Sequence, residues 1–92
     1  EHLGSLMLQL IGEAAGKLVI VDYSTTWCGP CKMMAPKFDD MSNRYTGAVF
    51  AKVVGDSCQE AGQLLKREGV RSVPAFHFWK GGKRVDSISG AD

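Results

Sequence analysis

Two cysteines held two residues apart, Cys28 and Cys31 in Trp27-Cys28-Gly29-Pro30-Cys31, are the side chains of this sequence best suited to chemistry. Disulfide exchange needs a thiolate that attacks and a second thiol near enough to resolve the mixed disulfide. C-x-x-C spacing at a helix start supplies both. Cys28 would stand at the helix N-terminus, where unpaired amides and the positive end of the dipole favour an anion, with Cys31 one turn inside. The Cys28 thiol should therefore become more acidic, although its intrinsic nucleophilicity falls at the same time. Gly29 and Pro30 keep the loop tight and free of bulk, and Trp27 offers an aromatic ledge beside the attacking sulfur.

Two rival readings apply to the same pair. A zinc site would need two more ligands from Cys58, His77, His2 and the carboxylates, and the chain has no second C-x-x-C and no His-x₃₋₅-His pair. Cysteines that merely pack are the other rival, but a Gly-Pro insert at an apolar helix start has no packing rationale. Three cysteines are too few, and odd in number, for a secreted disulfide scaffold. In a reducing compartment the spacing points to redox work or metal.

The elements that must position the pair are legible from periodicity. Leu6, Met7, Leu10, Ile11 and Ala14 give an amphipathic helix over Leu6 to Ala14 that ends near Gly16. Lys17 to Tyr23 is rich in β-branched residues and reads as a buried strand interrupted by one carboxylate, Asp22. Gly29-Pro30 then opens a second helix with Met34, Phe38, Met41 and Tyr45 on one stripe, kinked by Pro36. Ala48 to Val54 is a second strand. A strand–helix–strand order with short links implies a parallel pair, which puts Cys28 and Cys31 at the carboxyl end of the first strand.

Ser57-Cys58-Gln59-Glu60 fits a capping box and starts a third helix ended by Gly69, with Cys58, Ala61 and Leu65 as its buried stripe. Ala75 to Trp79 and Lys83 to Ile88 flank the hairpin turn Gly81-Gly82. The expected order is α-β-α-β-α-β-β. Ninety-two residues suffice for one domain with its own core, and 45% hydrophobic with 23% charged residues excludes disorder. A net charge of +1, mixed along the chain, argues against nucleic acid or an anionic membrane as partner. No apolar run exceeds four residues, the length of Leu18 to Val21, which is strand length, and the opening residues do not read as a signal peptide.

These motifs resemble the thioredoxin family over almost the whole chain. LVIVDYSTTWCGPCKMMAP, Leu18 to Pro36, is similar to the family's active-site signature. It lies nearer the cytosolic eukaryotic form than the bacterial one, which usually has tryptophan where Ser24 stands. VPAF at Val73 to Phe76 resembles the cis-proline segment, and SGAD at Ser89 to Asp92 the terminal glycine motif. The resemblance implies an α/β thioredoxin-like fold, a central mixed sheet flanked by helices. It also implies a protein-disulfide reductase whose only redox group is the Cys28–Cys31 disulfide, with no bound cofactor or metal.

Carried over residue by residue, Cys28 is the exposed nucleophile and Cys31 the resolving thiol. Asp22 matches a buried carboxylate that helps take the resolving thiol's proton, and Lys52 its buried lysine partner. A carboxylate inside a covered strand also has a physical reason to be harder to ionise, which suits a base near neutral pH. Substrate would dock on Trp27, Gly29, Pro30, Val73, Pro74, Gly90 and Ala91, with the Val73 backbone pairing to an extended segment. Cys58 matches a non-active-site cysteine of some animal members, and a small apolar residue in the first helical turn is favoured over a regulatory oxidation site. His77 reads as structural.

The family's usual first strand and last helix have no counterpart here, since only Glu1 to Leu3 precede the first helix and the sequence stops at Asp92. The expectation is a single domain over 1–92 short at both ends, with an uncovered strand edge open to self-association. The implied partners are disulfide-containing proteins and an NADPH-dependent thioredoxin reductase. The implied setting is the cytoplasm, with an organelle open because Glu1 is not an initiator methionine. An alternative from another class is a client-docking or targeting module of a larger protein.

Overall fold

The computed structural model describes residues 2–14 and 16–90. The elements follow the expected order: α1 (His2–Glu13), β1 (Val19–Ser24), α2 (Gly29–Arg44), β2 (Val49–Val54), α3 (Gln59–Arg67), β3 (Ala75–Lys80) and β4 (Lys83–Ser89). The helical pattern starts at His2, so Leu3 belongs to α1 rather than to the remnant of a strand. The sheet order is β2-β1-β3-β4, with β1 parallel to β2 and both other pairings antiparallel. The mixed sheet of the sequence reading is thereby obtained, with β2 and β4 at its edges.

Alternation along β1 divides the molecule in two. Val19, Val21 and Tyr23 are buried on the face that also takes Met7, Ile11 and Ala14 near α1, Ala61 and Leu64 of α3, and Val53 and Ala75. Spacings of four and three put the α1 residues on one helical stripe. Ile20 and Asp22 point to the other face, where α2 lies. There Phe38 is buried edge-on to Phe50, with ring centroids 5.3 Å apart, and stacked on Phe76 at 6.1 Å. The Met34, Phe38, Met41 and Tyr45 stripe does share one side of α2, but only Phe38 is buried. The four line an apolar groove of about 660 Å³ with residues of the sheet such as Ile20, Phe50 and Phe78. The helix continues as one element through Pro36.

Two expectations about α3 are corrected. Ser57 does not cap the helix; its hydroxyl donates to the Val54 carbonyl, and Cys58 takes the N-cap position without a side-chain capping bond. Starting the helix at Gln59 puts Ala61 and Leu64, not Cys58 and Leu65, on the fully buried stripe, and leaves Cys58 exposed. Glu60 instead accepts the Leu3 N–H at 2.9 Å, tying α3 to the start of α1.

The end of α3 is as the sequence suggests. Gly69 has φ +73°, its N–H donates to the Lys66 carbonyl and the Val70 N–H donates to Leu65, a full Schellman closure. Gly81 and Gly82 both have positive φ, as the two-residue hairpin turn requires. Among the described residues no helix is long and apolar enough to cross a membrane. Leu64 is fully buried at the centre of the α1–α3 core. Leu64→Ala should cost about 2–5 kcal/mol, read as a lowered urea midpoint with an unchanged slope.

Candidate active site

The site grows out of the carboxyl end of β1. After Ser24 the chain turns at Thr25 to Trp27, where the Cys28 N–H reaches the Thr25 carbonyl at 3.4 Å, and α2 starts at Gly29. Cys28 is the N-cap, in an extended conformation, and its sulfur accepts the Cys31 N–H at 3.1 Å. Pro30 in the first turn has no N–H to satisfy, so the donor at Cys31 serves the sulfur. Cys28 and Cys31 are joined as a disulfide with Cα atoms 5.3 Å apart. The dipole end, the amide and the two sulfurs thus converge as the spacing implied.

The expectation of an exposed Cys28 is corrected for this oxidised form. Cys28 is only 3% exposed and Cys31 7%. The Cys28 side chain turns inward to cap the helix and bond to Cys31, so the accessible feature of the site is its neighbour. Trp27 is 73% exposed, and Gly29 and Pro30 are also exposed.

A second segment lies beside this end of the sheet, because Tyr23 near the end of β1 pairs with Ala75 at the start of β3. The Val73–Pro74 peptide is cis, Pro74 is buried and Val73 half-buried. The Gly90 N–H donates to the Pro74 carbonyl at 2.8 Å, which brings the glycine motif beside the proline. Ala91 lies outside the described residues. A loop contact that sequence reasoning missed steadies the cysteine side: Asp56, after β2, accepts the Thr26 N–H at 3.0 and 3.3 Å and the Thr26 hydroxyl. Those bonds, the hydroxyl's first, lower the Asp56 pKa. The available signal was topological, since parallel β1 and β2 deliver their following loops to the same end of the sheet.

Asp22 is 6% exposed on the α2 face, and burial raises its pKa from 3.8 to about 6. Lys52 opposes that shift and Asp39 adds to it. Register places Lys52 directly beside Asp22, as the motif match required, but the lysine is not buried. Its side chain is 44% exposed and pairs with Asp39 on α2, because β2 is an edge strand and its long stem can turn outward. His77 is buried on the opposite face, its ring 4.8 Å from that of Tyr23, and its Nδ1 accepts from Arg84 at 3.3 Å. Burial, with Arg84 second, lowers its pKa. It belongs to the core rather than to the site. Among the described residues no three His, Cys, Asp or Glu side chains gather as metal ligands, and the side chain of His2 lies outside that set.

Comparison with known proteins agrees with this geometry. The thioredoxin family model matches residues 9–92. Thioredoxin of Equus caballus is 42% identical over 88 residues, which are 96% of this chain and 81% of that protein. The spinach chloroplast thioredoxin f short form superposes with a TM-score of 0.85 at 37% identity, covering 91% of this chain and 73% of that one. A chain in the crystal structure of a ferredoxin:thioredoxin reductase and thioredoxin f2 complex gives a TM-score of 0.89 at 35% identity, covering 97% and 79%. With a disulfide at the start of α2, a cis proline segment beside the glycine motif and these relatives, the chain belongs to the thioredoxin family and is a thiol–disulfide oxidoreductase whose redox group is a disulfide of its own polypeptide.

Proposed function

We propose that the protein reduces disulfides in protein substrates, with Cys28 as nucleophile, Cys31 as resolving thiol and Asp22 as acceptor of the Cys31 proton. In the dithiol form the Cys28 thiolate attacks one sulfur of a substrate disulfide. A Cys28–substrate bond forms as the substrate S–S bond breaks, releasing one substrate thiolate. Cys31 passes its proton to Asp22 and attacks Cys28, and the second substrate thiolate leaves. The substrate gains two electrons and the protein ends as the Cys28–Cys31 disulfide. A reductase supplying two electrons and two protons resets it. The observation that carries this reading is the Cys28 sulfur held at the helix N-terminus by the Cys31 amide.

Exposed Trp27, Gly29 and Pro30, with Val73, Pro74 and Gly90 next to the end of β1, would form the surface for an extended substrate segment, whose backbone would pair with Val73. Ala91 is proposed for the same surface on the motif match. An NADPH-dependent thioredoxin reductase as donor and a cytoplasmic setting are proposed on the resemblance of the Leu18 to Pro36 signature to the cytosolic eukaryotic form. The ferredoxin:thioredoxin reductase complex and the spinach chloroplast relative name the competing donor and compartment.

Insulin reduction coupled to NADPH oxidation by thioredoxin reductase tests the reading. Turnover should vanish in Cys28→Ser; an absence of turnover in the wild type, with client binding intact, would favour a docking module instead. Asp22 makes a pH prediction of its own. The folded chain holds that proton up to about pH 6 and the unfolded chain releases it near 3.8, so ionising Asp22 destabilises the fold as pH rises through that window. Asp22→Asn should therefore stabilise the oxidised protein at pH 7 by about 1–2 kcal/mol, the relief from ionising a buried carboxyl being partly offset by the cost of burying the amide. The gain should fade as pH falls toward 4. The same variant should slow turnover at pH 7 by about tenfold to a hundredfold and remove the acid limb expected near pH 6 in the wild type.

A further inference from the structure

Asp22 has a cation in the adjacent register position and does not hold it. In the parallel β1–β2 pair Asp22 lies directly opposite Lys52, and the two side chains share the α2 face. Yet the Lys52 ammonium is 2.5 Å from Asp39 Oδ1 and sits over the Phe38 ring, 5.9 Å from its centroid. Both partners belong to α2. Among the described residues no ion pair joins Lys52 to Asp22. The charged groups acting on Asp22 are Lys52 from β2 and Asp39 from α2, while β3 sets the apolar Phe76 opposite it.

We infer that Asp39 is a positioning residue of the exchange site: by holding the Lys52 ammonium against α2 it withholds that cation from Asp22 and leaves the buried carboxylate free to receive a proton. The inference rests on the reading of Asp22 as proton acceptor. An opposite charge brought within about 4–6 Å of a carboxyl lowers its pKa by roughly 1–3. A carboxyl that titrates at about 6 would then be fully ionised at neutral pH and a poorer base. The Lys52–Asp39 pair is partly exposed and adds little to stability, so variants at either position should fold.

The experiment is a carboxyl-carbon NMR titration of Asp22 in four oxidised proteins: wild type, Asp39→Asn, Lys52→Met and the double variant. Asp39→Asn should bring the Asp22 midpoint from about 6 to about 5, and Lys52→Met should raise it. With Lys52 absent, removing Asp39 should move the midpoint less than half as far, because only the bare charge of Asp39 is then lost. An unchanged midpoint in Asp39→Asn, or a shift of equal size with and without Lys52, would overturn the inference. The underlying reading fails separately: if Asp22→Asn leaves insulin turnover and its pH profile untouched, Asp22 takes no proton, whatever the four titrations show.

Discussion

The hydrogen bond from the Cys31 amide to the Cys28 sulfur joins the chain's local geometry to its chemistry. A helix N-cap commonly uses an oxygen to satisfy an amide of the first turn. Here a sulfur does so, and that same sulfur is the proposed nucleophile. The arrangement depends on β1 ending at Ser24, on the turn that brings Cys28 to the cap, and on Pro30 occupying a first-turn position that needs no donor. Moving the helix start by one residue would aim the Cys31 amide elsewhere. The Asp56 carboxylate, clamped on Thr26, holds the turn two residues ahead of the cap.

The two faces of the sheet divide the work. The α1–α3 face carries the packed core, with Val19, Val21, Tyr23 and Leu64 almost wholly removed from water. The α2 face is more thinly covered: Phe38 anchors the helix on Phe50 and Phe76, and an apolar groove opens alongside. The ionisable groups Asp22, Lys52 and Asp39 sit on this second face. Burial is deep enough there to hold Asp22 near neutrality, yet open enough for Lys52 to choose between two carboxylates.

Much of this was legible in the sequence because it is local. Element order, the hairpin glycines and Gly69 follow from periodicity and backbone conformation, and the Cys28–Cys31 spacing sets its own helix-start geometry. The burial of Asp22 followed from its place inside an apolar strand. Four features were not legible for physical reasons. The start of α3 shifted by one residue from its capping pattern, which rotated Cys58 out of the core. Lys52 has a long stem on an edge strand, so register alone did not say which carboxylate its ammonium would meet. Inward rotation of the capping Cys28 makes it less accessible than Cys31 in the oxidised form. The Thr26–Asp56 clamp links residues thirty positions apart and has no local signature.

The two cysteines are almost equally buried, so which of them attacks the substrate is decided by trapping rather than by exposure. Reduced Cys31→Ser and Cys28→Ser proteins can each be mixed with a disulfide-containing protein substrate and the products mapped by mass spectrometry. A persistent mixed disulfide through Cys28 is expected in the Cys31→Ser protein, with little trapping in the Cys28→Ser protein. Trapping that runs mainly through Cys31 in Cys28→Ser, or through Cys58 in either, would contradict Cys28 as the nucleophile.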